Sequence, residues 1–466
     1  MPRTKSQAIA EFGDFQTPPL LATRCCALLK EMGVDAATIL EPTCGRGGFL
    51  LAAADQWPTA AVVKGIDINP AHVAKAADTV RSRSDNARFS LDCADFFELD
   101  LSAVLSDLAE PILVVGNPPW VTNAHVSALG GSNLPTKTNF QRHKGLDALT
   151  GKSNFDISEW MLSKLADALN GRDAMLAMLV KNVVARKLLH YCWKRDYSLT
   201  RANLFGIDAA AHFDVAVDAS LVVMNFGPVI GPRVAHCYDQ LSESRQPCRT
   251  IGVMAKSMVA DLQAYRQTKQ LDGGSAIKWR SGIKHDCSRV MELRQEGNQF
   301  RNGLGDLVDL EPDYLFPMLK SSEVSKVADR TSTRWMIVPQ QRIGQSTAEI
   351  VHHAPQTWNY LQHHRDLLSN RASSIYTDKP EFSVFGVGEY SFAPWKVAIA
   401  GMYKSLRFGK VGPRHQKPVV FDDTTNFLAC PSQEAAELVH SMLATSRVQT
   451  FFAAFVFWLH FLRNRR

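Results

Sequence analysis

The chain has 466 residues, of which 45% are hydrophobic and 21% charged, and its net charge is +6; these values exclude a disordered or fibrous protein and allow two or three domains. Its nine cysteines are scattered without a CxxC pair, which excludes a disulfide scaffold or a zinc finger, so we expect reduced thiols and no metal. No apolar run is long enough to span a membrane, and the opening residues do not form a secretory leader, so we expect a cytoplasmic protein.

The first 230 residues alternate between β-rich runs and helical stretches, which is typical of a doubly wound α/β sheet. We predict strands at Thr38–Leu40, Val62–Asp67, Ala87–Asp92, Ile112–Asn117, Ala174–Val180, Ser198–Leu204 and Ser220–Phe226. The fourth and fifth contain continuous apolar runs, as central strands with helices on both faces do. Ligands of such sheets bind beyond the carboxyl ends of the strands, so the residues that follow each strand are candidates for the site.

Capping residues mark two of the helices between these strands. Thr17 precedes Pro18 and is predicted to cap the first helix. Asp156 and Glu159 are spaced as a capping box, and Gly171 is placed to end the helix that they begin.

A glycine-rich turn, Glu41-Pro42-Thr43-Cys44-Gly45-Arg46-Gly47-Gly48, follows the first strand, and its glycines let a ligand approach the backbone closely. A dinucleotide site would have the spacing GxGxxG and hold a pyrophosphate, which the Glu41 carboxylate would repel. S-adenosylmethionine has no phosphate and carries a sulfonium and an ammonium group. We therefore predict a pocket for this cofactor formed by Glu41, Pro42, Cys44, Gly45 and Gly47.

Carboxylates also follow the second and third strands. Asp67 lies about 20 residues beyond the glycines, where a carboxylate meets ribose hydroxyls in this architecture, and Ile68 adjoins it. Asp95 suits an adenine amino group, and Phe96 offers a face to the adenine ring. Taken singly, Glu41 or Asp95 would equally well cap a helix, but three carboxylates in register favour the cofactor pocket.

The fourth strand leads into Asn117-Pro118-Pro119-Trp120, which predicts the chemistry. An aromatic amine is a poor nucleophile because its lone pair is delocalised into the ring. The side-chain carbonyl of Asn117 and the backbone carbonyl of Pro118, held by the stiff Pro118-Pro119 unit, would accept hydrogen bonds from the amine and direct its lone pair at the sulfonium methyl. We expect Asn117 to border the cofactor as well, and Trp120 to stack on the base. The alternative, a Pro-Pro pair that merely ends a buried strand, explains neither Asn117 nor Trp120.

This tetrapeptide, together with Phe12–Pro18 and Glu41–Gly45, resembles the N6-adenine DNA methyltransferases of the gamma class, which occur in restriction-modification systems. The resemblance covers about residues 10–228. It implies a Rossmann-like class I S-adenosylmethionine-dependent methyltransferase domain with a seven-stranded, mostly parallel sheet. It also implies that Phe15 and Thr17 belong to the segment that closes over the methionine end of the cofactor.

The same resemblance implies that Phe213 is a second aromatic residue of the base pocket, opposite Trp120. Trp120 stands where Tyr or Phe is usual and keeps the aromatic ring. Thr43 replaces a commoner small residue and is itself small. The implied substrate is an adenine of double-stranded DNA, which must leave the duplex at a cost of a few kcal/mol. Stacking on two aromatic rings, worth about 1–3 kcal/mol per base, would offset that cost.

A long basic stretch separates the tetrapeptide from the helix at Ile157. It is rich in Gly, Ser and Asn and contains Lys137, Arg142 and Lys144, so we interpret it as a lid that contacts the DNA backbone. A solvated loop without contacts is the alternative.

Residues 231–466 carry 30 Lys and Arg against 22 Asp and Glu, whereas residues 1–230 carry 22 against 24. We therefore predict a catalytic domain at 1–230 and a mixed α+β target-recognition domain at 231–466. Basic side chains interleaved with aromatic ones follow Tyr390, and no acidic residue lies between Glu389 and Asp422. The candidates for contacts with DNA are Lys404, Arg407, Lys410 and Arg414. A solvated basic face is the alternative.

Other functions remain open on the sequence alone. Enzymes with an NPP-aromatic motif also methylate protein glutamine or RNA, and a catalytically silent DNA-binding protein of the same fold is a further alternative. Cytosine N4 is a second possible DNA acceptor, although Asn117 favours adenine. A fused nuclease is not indicated, whereas a separately encoded restriction endonuclease is a possible partner.

Overall fold

The computed structural model describes residues 16–121, 156–242, 246–254, 257–274, 277–324, 333–401 and 406–457. The chain divides into two compact units. The first comprises Met1–Gln263 with Ala454–Arg466, and the second comprises Ala264–Ala453.

Within its described residues, the first unit forms one sheet of ten strands. In chain order they are β1 (Thr38–Glu41), β2 (Val62–Asp67), β3 (Phe89–Cys93), β4 (Ile112–Gly116), β5 (Ala174–Lys181), β6 (Leu199–Ile207), β7 (Ala219–Phe226), β8 (Val234–Tyr238), β9 (Arg249–Met254) and β10 (Ser257–Val259). Their order across the sheet is β10-β9-β8-β6-β7-β5-β4-β1-β2-β3. β1 to β5 run parallel, and β7 is antiparallel to both of its neighbours. The predicted doubly wound α/β fold is confirmed.

The sheet continues past the seven strands that the sequence predicts. β8 lies parallel to β6, and β9 and β10 extend the sheet further in antiparallel pairs. Ala235 and Cys237 of β8 and Ile251 of β9 pack into the same apolar core as β6 and β7. β8 fills the hydrogen-bonding edge of β6, and β9 and β10 continue the sheet from it. The division between the units therefore falls between Gln263 and Ala264 and not at the predicted 230/231.

Helices cover both faces of this sheet. They are α1 (Pro19–Glu31), α2 (Gly48–Gln56), α3 (Pro70–Arg81), α4 (Leu101–Ser106), α5 (Ile157–Leu169), α6 (Asn182–Lys194), α7 (Ala209–Phe213) and, across the unit boundary, α8 (Leu262–Thr268). Side chains of β4 alternate between two cores: Ile112 and Val114 lie in one, Leu113 and Val115 in the other. This burial on both faces explains why the strand is apolar throughout.

The predicted helix caps are partly confirmed. The Asp156 carboxylate accepts a hydrogen bond from the Ser158 amide at the start of α5, and Gly171 has a left-handed φ of 84° just after that helix ends. The prediction for Thr17 is wrong: Pro18 is the N-cap residue of α1, without a side-chain cap. Pro19 starts the helix because a fixed φ and a missing N–H suit its first position.

The second unit is a mixed α+β structure, as predicted. Its described strands are β11 (Arg280–Ser281), β12 (Glu292–Glu296), β13 (Gln299–Asn302), β14 (Leu307–Val308), β15 (Leu315–Leu319), β16 (Arg334–Ile337), β17 (Trp395–Ala400), β18 (Gly409–Val411), β19 (Val420–Phe421) and β20 (Thr425–Cys430). Those strands form two sheets, in the orders β11-β20-β17-β18 and β14-β13-β12-β16-β15-β19.

The helices of the second unit are short apart from the two nearest its end. They are α9 (Ser288–Met291), α10 (Ser321–Val324), α11 (Ile350–His353), α12 (Pro355–His363), α13 (Arg365–Ser369), α14 (Gln433–Ala444) and α15 (Ser446–Phe455), whose last residues belong to the first unit. In the part of the chain that is described, no helix has both the length and the apolar character needed to cross a membrane.

Candidate active site

Neighbouring parallel strands of the first unit end at one edge of the sheet. β1 ends at Glu41, β2 at Asp67, β4 at Gly116 and β5 at Lys181. β1 pairs with β2 and β4, and β4 pairs with β5. The residues predicted to bind cofactor and the tetrapeptide therefore lie at the same edge, where ligands of open α/β sheets bind.

Glu41 is buried at the centre of this edge, with 3% of its surface exposed. Its Oε2 accepts a hydrogen bond of 2.7 Å from the Leu50 amide in the first turn of α2, so Glu41 does satisfy a helix terminus. A Cβ on Gly116 would lie 3.3 Å from Glu41 Cγ, so the carboxyl group also lies directly against the residue before Asn117. Burial raises the pKa of Glu41 well above its ordinary value; the Leu50 amide opposes this, and the Asp67 charge adds to it.

Asp67 joins the end of β2 to the glycine turn. Its Oδ2 accepts a 2.8 Å hydrogen bond from the Gly45 amide, and its Oδ1 accepts one of 2.8 Å from the Asn69 amide. His72 Nδ1 also lies 3.7 Å from Oδ1. A carboxylate has about four acceptor positions, so these contacts leave acceptor capacity for a ligand. Ile68, the next residue, is exposed.

The glycine turn lies against the N-terminal segment. Gly45 and Gly47 have left-handed φ values of 52° and 85°, which glycine adopts without strain. The Arg46 amide donates to Gln16 Oε1 at 3.2 Å, and a Cβ on Gly48 would lie 3.2 Å from the Thr17 carbonyl oxygen. Thr17 therefore lies beside the turn, whereas Phe15, the other residue of the predicted closing segment, lies outside the described residues.

The other predicted pocket residues differ in exposure: Asp95 is half-buried, and the rest are buried. Pro42 and Cys44 are buried, and burial raises the pKa of the Cys44 thiol, so it is not a reactive thiolate. Asp95 Oδ1 accepts a hydrogen bond of 2.8 Å from the Phe97 amide. Phe96 packs into the core, edge to face with Trp160, so little of its ring is exposed for an adenine to cover.

The tetrapeptide leaves β4 at Gly116. Asn117 and Pro119 are half-buried, and Pro118 is buried. Trp120 is 6% exposed, and its indole N–H donates to the Leu179 carbonyl oxygen at 3.1 Å. The tryptophan ring is thus anchored to the neighbouring strand, β5.

Phe213, at the end of α7, is in direct ring contact with Trp120, whereas the resemblance implied two rings on opposite faces of a base. Their centroids are 5.1 Å apart and their planes are inclined by 62°. A base stacked between two rings requires about 7 Å between them, twice the optimal carbon–carbon separation. In this arrangement the two rings therefore cannot enclose a base until one of them moves.

Lys181 belongs to the site but was not predicted. Its Nζ donates to the main-chain oxygen of Trp120 at 3.0 Å and to Asp156 Oδ2 at 2.7 Å. Its partners lie 61 and 25 residues away in the chain, so no local spacing reveals them. The available signal was a single lysine at the end of a strand that is otherwise apolar.

The predicted DNA contacts in the second unit differ in accessibility. Arg407 is exposed, whereas Lys410 Nζ forms an ion pair of 2.7 Å with Glu437. Arg414 is half-buried and begins a tight turn in which its amide and that of Lys417 each donate to the other residue's carbonyl oxygen. Lys404 and the three basic residues of the predicted lid, Lys137, Arg142 and Lys144, lie outside the described residues.

One basic residue of the second unit faces inward. Lys396 on β17 is 1% exposed and its Nζ donates to the Ala393 carbonyl oxygen at 2.6 Å. Burial lowers the pKa of Lys396 to about 7. Lys396 is therefore not available to neutralise a phosphate, although the basic and aromatic segment after Tyr390 included it.

Comparison with known proteins gives a relative along almost the whole chain. No model of a known protein family matches the sequence. The type II methyltransferase M.NspV of Nostoc sp. (strain ATCC 29411 / PCC 7524) is 43% identical over 449 residues, which are 96% of this chain and 93% of that protein.

Two solved structures align with most of this chain. The type IIL restriction-modification enzyme MmeI in complex with DNA superposes with a TM-score of 0.54 over 95% of this chain and 65% of that one, at 13% identity. The type IIG restriction endonuclease BpuSI gives a TM-score of 0.39 over 93% of this chain and 55% of that one, also at 13% identity.

Proposed function

The chain belongs to the type II methyltransferases, and on that premise we propose that it methylates the exocyclic N6 of an adenine everted from double-stranded DNA. The observation that carries the proposal is the position of Asn117-Pro118-Pro119-Trp120 at the end of β4, beside the buried Glu41 of the adjacent strand β1 and two strands from Asp67 of β2. An amine held by the tetrapeptide would lie at the same sheet edge as a cofactor held by those carboxylates.

The proposed cofactor is S-adenosylmethionine, which supplies an electrophilic sulfonium methyl group when bound. The residues fit such a group, because Gly45 and Gly47 of the turn have left-handed φ values and no side chains, so a ligand can approach the backbone there, and carboxyl groups end the successive strands β1 and β2. Glu41 would face the cationic end of the cofactor, and Asp67 would accept hydrogen bonds from its ribose hydroxyls. Asp95 would accept from its adenine amino group.

Asn117 and Pro118 orient the acceptor amine in this proposal. Their two carbonyl oxygens accept its N–H bonds and draw the nitrogen towards a tetrahedral geometry, which frees the lone pair for attack. Since neither group takes up a proton, the surplus proton of the methylated amine passes to solvent.

Eversion of the base requires the aromatic pair to open. Trp120 is held by its hydrogen bond to Leu179, so we expect Phe213 to be the ring that moves. Phe213 ends the five-residue helix α7 and precedes Asp214, whose φ of 57° terminates the helix. The freed Trp120 face then stacks on the base.

Recognition of the DNA sequence is proposed for the second unit. Its described residues include exposed Arg407 and the turn that begins at Arg414, in a stretch without acidic residues. Guanidinium groups can bind phosphates or guanine edges in the major groove. A separately encoded restriction endonuclease that cuts the same sequence would be the partner in the cell.

The test is incubation of the purified chain with S-adenosylmethionine carrying a labelled methyl group and an unmethylated plasmid, followed by single-molecule sequencing. We expect label in the DNA and N6-methyladenine at every copy of one short sequence. Plasmid already saturated by a first incubation is the control and should take up no label. Label confined to protein or RNA would refute the DNA substrate, and N4-methylcytosine would refute adenine as the acceptor.

A further inference from the structure

Lys181 fixes the main chain of the tetrapeptide. It is the last residue of β5, its side chain is 20% exposed, and its ammonium group bridges the Trp120 main-chain oxygen and the Asp156 carboxylate. We propose that Lys181 is a positioning residue, which holds Trp120 and the preceding prolines where the target base must stack. This inference deepens the proposed function and rests on it.

β5 holds Trp120 at two points. The indole N–H donates to the Leu179 carbonyl oxygen, and the main-chain oxygen accepts from Lys181 Nζ. β5 is itself paired with β4 on one side and β7 on the other, and it is buried along its length up to Lys181, so it is a rigid support. Without the second bond, the ring would remain tethered while the peptide that carries it could rotate.

The same ammonium group joins both ends of the stretch between Val121 and Asp156. The Ile157 amide donates to the Val121 carbonyl oxygen at 2.9 Å, and Asp156 caps α5 through the Ser158 amide. The start of α5 and the end of the tetrapeptide are therefore side by side, and Lys181 contacts both. A shift at the start of α5 would reach Trp120 through this side chain.

A simpler role for Lys181 would be to neutralise Asp156, which is buried. The chain contains a matched pair with that simpler role: Lys187 Nζ of α6 lies 2.6 Å from Oε2 of the buried Glu159 of α5. In both pairs a lysine contacts a carboxylate at the start of α5, but Lys181 also donates to the tetrapeptide. Lys187 is therefore the control for the loss of a lysine from a buried carboxylate.

Variants of Lys181 separate the two roles. Lys181→Met should lower kcat by on the order of 10²-fold, as a small misplacement of reacting groups does, while the Kd for S-adenosylmethionine stays near the wild-type value. Lys181→Arg should restore most of kcat because a guanidinium group can still donate to both oxygens. Asp156→Asn combined with Lys181→Met keeps the helix cap and removes the buried charge, and we expect it to remain as slow as Lys181→Met.

Recovery of wild-type kcat in that double variant would show that Lys181 acts by neutralisation alone, and would overturn the inference. So would equal kcat values for Lys181→Met and Lys187→Met. DNA with 2-aminopurine at the target position gives a readout of eversion and stacking that protein stability does not change; we expect a changed emission in Lys181→Met and not in Lys187→Met. If Lys181→Met does not fold, Lys181→Arg decides: retention of most of kcat with unchanged emission is expected, and loss of both, although a guanidinium group can still donate to both oxygens, would contradict the inference. Failure of the proposed function is distinct, because the wild-type chain would then not methylate DNA at all.

Discussion

The buried Glu41 of the first unit and the half-buried Glu292 of the second have opposite electrostatic surroundings. Glu41 in the first unit accepts from the Leu50 amide and has the Asp67 carboxylate nearby, so burial and a like charge raise its pKa. Glu292 in the second unit also pays a desolvation penalty, but His285 and Lys320 hydrogen-bond to it and outweigh that penalty, so its pKa is lowered. Among the described residues no cation compensates the Glu41 carboxyl group, whereas the Glu292 carboxylate has basic partners within its own unit.

The different surroundings of Glu41 and Glu292 indicate different roles for the two carboxyl groups. A carboxyl group that is costly to ionise in the folded protein gains most when a cationic ligand arrives, which is the situation expected of a cofactor site. A carboxylate that already has basic neighbours contributes to the stability of its surroundings. We therefore expect changes in the first unit to affect transfer and cofactor binding, and changes in the second to affect folding and DNA binding.

The largest expected effect is that of Asn117→Ala. Loss of the side-chain acceptor should lower kcat by at least about 10³-fold, with cofactor binding and DNA binding near the wild-type values, because neither the carboxylates nor the second unit is altered. Rates of label transfer and Kd values for both ligands measure this. Unchanged transfer would mean that the tetrapeptide is not the active site.

Glu41→Gln should weaken S-adenosylmethionine binding about ten- to hundredfold, the worth of a contact with a charged group. Glutamine can still accept from the Leu50 amide, so the helix contact survives. Because its pKa is raised in the folded protein, Glu41 favours folding when protonated, and that contribution is lost as pH rises through the raised value. Without cofactor, the Glu41→Gln variant should thus be at least as stable as the wild type at neutral pH. Calorimetry measures both the stability and the affinity for S-adenosylmethionine. An unchanged affinity would show that Glu41 does not belong to the cofactor pocket.

Glu292→Gln should show the opposite pattern. Removing the charge leaves Lys320 and His285 without their carboxylate, so we expect the free energy of unfolding to fall by about 1–3 kcal/mol at neutral pH, with cofactor affinity unchanged. Since the pKa of Glu292 is lowered in the folded protein, its contribution is present above the ordinary value of 4.5 and lost as pH falls through the lowered value. Denaturant unfolding of both proteins should therefore give a difference that shrinks on acidification; a difference that is independent of pH would contradict this account.

The smallest effect is expected from single basic residues of the second unit. Arg407→Ala should weaken DNA binding. It should also reduce the slope of log K against the logarithm of salt concentration by about the amount that one phosphate contact contributes. Lys410→Ala, the matched variant, should have a smaller effect because Lys410 is paired with Glu437. Binding isotherms at several salt concentrations measure the slopes, and equal slopes for the two variants would show that the ion pair does not restrict Lys410.

The sequence by itself determined the fold of the first seven strands of the first unit. The apolar runs, the glycine turn and the tetrapeptide are local patterns whose meaning does not depend on distant residues, so the order of strands and helices and the shared edge of Glu41, Asp67 and Asn117 could be predicted. The basic character of the second half was also visible in the sequence.

The tertiary structure alone decided the features that depend on residues far apart in the chain. The pairing of β8 with β6, the contact between Trp120 and Phe213, the burial of Lys396 and the two bonds of Lys181 all arise from packing across sequence separations that no local period encodes. Burial sets the dielectric around a charge, and it is burial that makes Glu41 costly to ionise and Lys396 inaccessible.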